Sequence, residues 1–387
     1  DRGILTVSRW YLAERPAETM RLVATGMAGW SAGGVVDPRR HVAVIKSSTS
    51  GAPTEGLSTV LFKRQPFTAG ELDTLYETAD RLGFEVIYAP GCEVGEPVGE
   101  FIAAADHRAY VAAYPLDISP ATDNRPFFFN LVRLGDLIDP ELSASGVYRT
   151  SMEAIVVLFG VIGISLVLAV GIIVIPLVIG SRRRGLPRPS PALLGYFSAL
   201  GVAFMLVEIP TIQKLTVYLG RPVYSLVVVL FSLLLSSGIG SLLSSRWPDD
   251  RIIPRLRIAL ALLVAVILLH TLLSTPVLQA TLSLPLAGRL AVAVALLVVL
   301  GFLMGIPFPV GIRWAGKHRE GTVPWLWGMN GVMSVLGSAM ATALAIHVGF
   351  RLTILASALI YGLALLAIDR EIRTADEVRG TPGRNHQ

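Results

Sequence analysis

From Ser151 onward the chain is a succession of long apolar runs separated by short polar gaps, and nothing else in it restricts the fold as strongly. The runs cover about 152–180, 192–216, 223–244, 257–275, 289–312, 325–347 and 351–368. A helix needs about 20 such residues to cross the hydrocarbon core of a bilayer. The pattern predicts an all-α polytopic bundle of about seven spans over 151–369, with a soluble part at 1–150 and a polar tail at 370–387. Composition agrees: 53% of residues are hydrophobic and only 16% charged, unusual for a soluble chain and expected when over half of it lies in lipid.

The gaps alternate in charge. Arg182, Arg183, Arg184 and Arg188 fill the first, Arg246, Arg251, Arg255 and Arg257 the third, and Arg313, Lys317 and Arg319 the fifth. Arg370, Arg373, Arg379 and Arg384 lie in the tail, while the intervening gaps hold only Lys214, Arg221, Arg289 and Arg351. Basic residues accumulate on the cytoplasmic side of membrane proteins, so the tail is expected in the cytoplasm. The net charge of +5 is read as topology signals and contacts for anionic lipid, with no nucleic-acid partner. With seven spans, residues 1–150 would then face outward. A miscount of the long 152–180 run would return them to the cytosol.

Within the second run, Phe204–Lys214 places Glu208, Pro210, Gln213 and Lys214 among apolar neighbours. An ionisable group at this depth costs about 2.5–3.5 kcal/mol on insertion scales, so a chain retains it for pairing, packing or transport. Glu208 and Lys214 are six positions apart, roughly 120° around a helix, and do not pair locally. Glu208 needs a partner on another helix, Asn330 or a serine of the third run being candidates. Pro210 removes a main-chain donor and allows a kink. Glu208, Gln213 and Asn330 are therefore the intramembrane polar candidates, either as a proton or cation site or as a polar packing cluster. His270 and His347 lie near run ends and are expected at the interface. Small residues repeat every fourth position at Ser236, Gly240 and Ser244, at Ser237, Ser241 and Ser245, at Gly301 and Gly305, and at Ser334, Ser338 and Thr342, as helices in close contact require. Pro307 and Pro309 break the fifth run, a feature of transporters.

In the soluble part, periodicity predicts strands at Ile4–Ser8, His41–Lys46, Ser58–Lys63 and Glu85–Tyr88. Helices are predicted at Ala17–Trp30, with Met20, Val23, Ala24 and Met27 on one side, and at Ala69–Leu82. Thr68 and Glu71 form a capping box for the second helix. This order predicts an α/β sheet with too few strands for a complete doubly wound domain. No glycine-rich nucleotide loop occurs. Thr122–Arg125 reads as a polar turn, with Phe127, Phe128 and Phe129 docked on the sheet or membrane. The lone Cys92 excludes an internal disulfide and a cysteine-based zinc site; no metal site is expected. Asp1–Ser8 opens as a turn running into a strand, which suggests a piece of a longer chain.

Asp1–Trp10 and Arg15–Leu22 resemble the later strands of a class I S-adenosylmethionine fold. More specifically, they resemble bacterial multi-pass membrane proteins with a spermidine/spermine synthase-like domain. Thr122–Phe129, Phe204–Gln213 with Leu219–Tyr224, Gly305–Gly311, Trp327–Gly331 and Ser334–Gly337 carry the likeness through the spans. The resemblance implies a partial Rossmann-like domain at 1–150, the C-terminal part of a synthase or methyltransferase domain, in a bacterial cell membrane. It implies an aminopropyl- or methyl-transferase in the full-length parent, using decarboxylated S-adenosylmethionine or S-adenosylmethionine. Its partners would be the bilayer, the preceding part of the same protein, and a polyamine or other small substrate. No cofactor-binding or catalytic residue is carried over, because the nucleotide loop and acidic residues belong to the earlier strands. A transporter with its polar site at Glu208 and a non-catalytic membrane scaffold are the alternatives.

Overall fold

The computed structural model describes residues 3–49, 52–92, 97–133, 146–185 and 187–380. Asp1 and Arg2 of the opening turn and residues 381–387 of the tail lie outside these ranges. The chain divides into two compact units, Asp1–Val157 and Leu158–Gln387. The boundary falls inside a helix, a little beyond the expected residue 150.

The first unit runs β1 (Ile4–Leu12), α1 (Ala17–Ala32), β2 (Val42–Thr49), β3 (Ala52–Lys63), α2 (Ala69–Leu82) and β4 (Phe84–Tyr88), then α3 (Pro97–Ala103) and α4 (His107–Ala113). The strands are ordered β1-β3-β2-β4 and every hydrogen-bonded pair is antiparallel. The expected Rossmann-like character therefore reduces to helices around a small antiparallel sheet. The physical cause is the short connection between β2 and β3, which folds them as a hairpin rather than a crossover. Val60 of β3 stands between Val7 and Val44 in register. Met20, Val23, Ala24 and Met27, the expected apolar face of α1, are all buried and join one core with Val42, Val44, Val60 and Phe62.

α2 begins at its capping box: the Thr68 main-chain N–H donates to Glu71 Oε2 at 2.8 Å. Lys63 Nζ donates to Glu71 Oε1 at 2.5 Å. That bond, with those from Thr68, holds the Glu71 carboxyl down at about 2. Gly83, left-handed at φ 70°, closes the helix as C-terminal caps commonly do.

The second unit is helical. The first span, Ile155–Arg183, consists of α5 (Gly146–Ala169), a π-turn at Val170–Val174 and α6 (Ile175–Arg184). There follow α7 (Pro191–Leu219), α8 (Pro222–Ser245), α9 (Ile252–Ala280), α10 (Leu286–Met304), α11 (Pro307–His318) and α12 (Val323–Gly380). Among the described residues six helices are long and apolar enough to cross a membrane, and the chain is a multi-pass membrane protein. The 152–180 run forms one helix, not two. The expected sixth and seventh spans are merged in α12, whose 58 residues would extend about 87 Å if straight. They do not: Gly349 sits at φ 84°, ψ 167°, a conformation open essentially to glycine alone. The helix doubles back there. Ala341 and Leu344 before the bend pack in one cluster with Ala356 and Ile360 after it, and Arg319, just ahead of the helix, pairs with Glu371 near its end at 2.9 Å.

The small-residue repeats lie where backbones meet. A Cβ on Gly240 would stand 2.1 Å from the Phe302 carbonyl oxygen, and one on Gly305 2.0 Å from that of Ser237. Hence α8 and α10 touch main chain to main chain, as the spacing predicts. Ser338, by contrast, is only half-buried and bonds back to the Val335 carbonyl of its own helix at 2.8 Å; Gly337 takes the contact with α7 instead.

The arginine-rich ends are tied by ion pairs. Arg257 meets Asp369 at 2.6 Å, and Arg313 and Lys317 both reach Asp249. Glu371, 2% exposed, accepts from both Ser190 and Arg319. The polar tail expected from 370 is thus helical as far as Gly380, with its first turn packed into the bundle.

Candidate functional site

α7 carries the candidate carboxylate because its sequence makes a secure helix. Ser190 accepts from the Leu193 N–H at 3.1 Å, Pro191 occupies the first turn, and Gly220 terminates the helix at φ 75°. Pro210 cannot donate to the Leu206 carbonyl, and just beyond it Thr211 Oγ1 bonds back to the Val207 carbonyl at 2.6 Å. Of the spans, α7 is the most enclosed, with 56% of its central window buried. Glu208 lies in that window and is 8% exposed. Among the described residues its carboxyl makes no ion pair or hydrogen bond.

The structure does not bring Glu208, Gln213 and Asn330 together. Asn330 Nδ2 donates to the Phe197 carbonyl at 3.1 Å, about 16 Å along α7 from Glu208 at 1.5 Å per residue. Its own carbonyl accepts from Ser334 at 2.9 Å. Asn330 therefore fastens α12 to α7. Gln213 is five residues past Glu208, roughly 140° around the helix, and its Oε1 is buried with no hydrogen-bond partner. Of the serines of α8, Ser236 Oγ donates to the Ser232 carbonyl at 2.5 Å, while the Ser232 hydroxyl itself is buried with no hydrogen-bond partner. None of the expected partners bonds to Glu208 among the described residues, and Asn330 is committed to α7 at Phe197.

A second polar group, which the sequence does not single out, joins α7 and α9. Lys214 Nζ donates to Ser274 Oγ at 2.7 Å and Thr275 Oγ1 at 2.9 Å, which explains why it ignores Glu208. Tyr218 OH meets Thr281 Oγ1 at 2.8 Å, and Arg289 donates to the Tyr218 carbonyl at 2.9 Å. His270 is 8% exposed and its Nδ1 is buried without a hydrogen-bond partner. The expected interfacial histidine is instead packed among protein. His270 and Lys214 line a void of about 10 Å³ with Thr211 and Ser274, room for a single water. The sequence signal available was Lys214 itself, but its hydroxyl partners come from a helix about 60 residues away.

The proline break between α10 and α11 is closed from within. The Pro307 carbonyl accepts from the buried Tyr196 hydroxyl at 2.8 Å, so this oxygen is already occupied.

In the first unit the buried charges Arg21 and Asp117 have polar partners, although Arg21 Nη2 itself makes no hydrogen bond. Arg21, fully buried, donates to the carbonyls of Ser119, Phe128 and Asn130 at 2.9, 3.0 and 2.6 Å. Asp117 accepts from Arg125 at 2.6 Å and from the Ser119 N–H at 3.0 Å. Burial works against its charge, but Ser119, Arg21 and Arg125 prevail and hold its carboxyl below the usual range. Arg9 lies over the Phe128 and Phe129 rings at 5.3 and 5.6 Å. Thr122–Arg125 closes as a turn. The turn is as expected, while Phe129 after it is 61% exposed. Among the described residues no cluster of His, Cys, Asp or Glu could hold a metal ion. No family model, curated protein or solved structure matches the chain.

Proposed function

We propose that the chain is the membrane-integrated part of a spermidine synthase-like transferase, whose first unit forms one border of a larger sheet. The observation that carries this reading is the strand order. β1 and β2 run in the same direction, joined through α1, with β3 inserted antiparallel between them. The later strands of the fold that the sequence resembles would form such an arrangement. β1 also has an unpaired edge among the described residues, and Leu5 and Trp10 on it are 62% and 61% exposed. A long open strand with exposed apolar residues is a place where further strands add. The nucleotide would bind on those strands, with residues 3–133 supporting the sheet. Calorimetry with S-adenosylmethionine and decarboxylated S-adenosylmethionine tests this on protein carrying whatever is encoded ahead of Asp1. One nucleotide should bind per chain, and residues 1–387 alone should bind none. Absence of binding by the longer protein overturns the proposal.

A second reading rests on Glu208. A carboxyl buried in the most enclosed span, with no polar partner among the described residues, is what a carrier of protons or organic cations uses at membrane depth. In proteoliposomes, Glu208→Gln should abolish spermidine flux while the protein still inserts; unchanged flux removes this reading.

A further inference from the structure

The first span leaves a cavity against the start of α12. Only 6% of its central window is buried, yet it approaches α12 closely at one place. A Cβ on Gly328 would lie 2.7 Å from Leu177 Cδ1 and 3.0 Å from Ile173 Cγ2. Beside this contact the helices part around a cavity of about 420 Å³, walled by Ile172, Ile173, Pro176, Leu177, Pro324 and Trp325. That volume falls in the range of small-molecule sites, roughly 300–1,000 Å³. The π-turn at Val170–Val174 contributes two of these walls. It has a covalent cause: Pro176 has no N–H for the Ile172 carbonyl, and a π-turn is a common way for a helix to accommodate such a lost bond.

Chemistry changes at one end of the cavity. Its lining reaches Ser181 and Gly321, and the next residues after Ser181 are Arg182 and Arg183, both exposed. Arg188 is exposed as well. Among the described residues none of these three makes an ion pair, unlike Arg257, Arg313 and Arg319 nearby in the other gaps. From Ile172 to Ser181 the helix rises about 14 Å, roughly half of the ~30 Å hydrocarbon core. The cavity thus spans one leaflet and opens toward an edge where Arg182 and Arg183, without ion pairs among the described residues, outnumber Glu320, the exposed residue before Gly321.

We propose that this cavity is a binding site for one anionic phospholipid, with an acyl chain against Ile172, Leu177 and Trp325 and the phosphate at Arg182 and Arg183. An unpaired arginine pair beside an apolar cleft is complementary to a chain with a negative head. A zwitterionic lipid fills the cleft equally but gives the arginines no net charge. A free phosphate satisfies the arginines and leaves the cleft unused.

The full chain, delipidated in detergent, is titrated with phosphatidylglycerol, phosphatidylcholine and inorganic phosphate, and retention is read by native mass spectrometry. One phosphatidylglycerol per chain should be retained in preference to phosphatidylcholine. Arg182→Gln with Arg183→Gln should weaken it roughly thirtyfold, as two lost arginine contacts imply. Gly180→Leu supplies the independent control. Gly180 lines the cavity and a Cβ there meets nothing within 4 Å, and leucine favours the helix, so this variant fills part of the cavity while leaving the arginines intact. It too should lose the lipid. Equal retention of the two lipids, retention unaffected by Gly180→Leu, or phosphate binding as strong as that of phosphatidylglycerol would each overturn the site.

Discussion

Arg21 and Glu208 are both buried charged residues, and the two units treat them in opposite ways. Arg21 is surrounded by three carbonyls and Asp117, itself neutralised by Arg125. Glu208, at 8% exposure, has no polar partner among the described residues. In the first unit loops can fold around a charge, because irregular backbone supplies carbonyls at any angle. In the bundle most helix carbonyls bond within their own helix, so a buried charge depends largely on side chains from neighbouring helices. Lys214 finds two hydroxyls in this way; Glu208 does not. Buried charge is thus a structural strut in one unit and a candidate functional group in the other.

The sharpest test of this contrast is Arg21→Met. It strands three buried carbonyls and leaves Asp117 with Arg125 as its remaining cation, and should destabilise the first unit by about 3–5 kcal/mol. Hydrogen exchange would show residues 117–130 losing protection first, while the spans stay unchanged. Equal loss in both units would mean that they do not unfold separately. Gly349→Ala comes next. Forcing a Cβ into φ 84°, ψ 167° should cost about 1–3 kcal/mol, seen as a lower thermal midpoint in detergent. An unaltered midpoint would show that the bend between the arms of α12 relaxes freely.

Glu208→Gln is expected to shift stability by less than about 1 kcal/mol, since the near-isosteric change breaks no hydrogen bond. A loss as large as that of Arg21→Met would reveal a partner and erase the contrast. The smallest effect is a pH response confined to α2. Glu71 titrates at about 2 in the fold against an ordinary 4.5. Its contribution is therefore complete above pH 4.5 and disappears as pH falls toward 2. Exchange at the α2 N-terminus should quicken over that window in wild type and be insensitive to it in Glu71→Ala.

Much of this was legible in the chain. Apolar length located the spans, and spacing located the α8 and α10 contact faces at Gly240 and Gly305. Thr68 and Glu71 announced their cap because its partners are three residues apart. What was not legible depends on distant partners. Neither Lys214 with Ser274 nor Arg319 with Glu371 has any sequence signal of pairing. The antiparallel sheet was missed because strand periodicity records which face is buried and not which neighbour a strand bonds to. The crossover that α1 suggests does run β1 and β2 in the same direction, but the short β2–β3 connection sets β3 antiparallel between them.

By itself the sequence determined that this chain enters a bilayer, where it does so, and that one carboxylate goes with it. Those are local properties, fixed by transfer free energy along the chain. Only the tertiary structure decided that Asn330 clamps helices rather than meeting Glu208, and that the tail's first turn packs under Arg319. It also decided that the first span and α12 meet at Gly328 and part around a cavity walled by Ile172, Leu177 and Trp325. Such outcomes follow from which helix faces meet, and hydropathy along a chain carries no information about that.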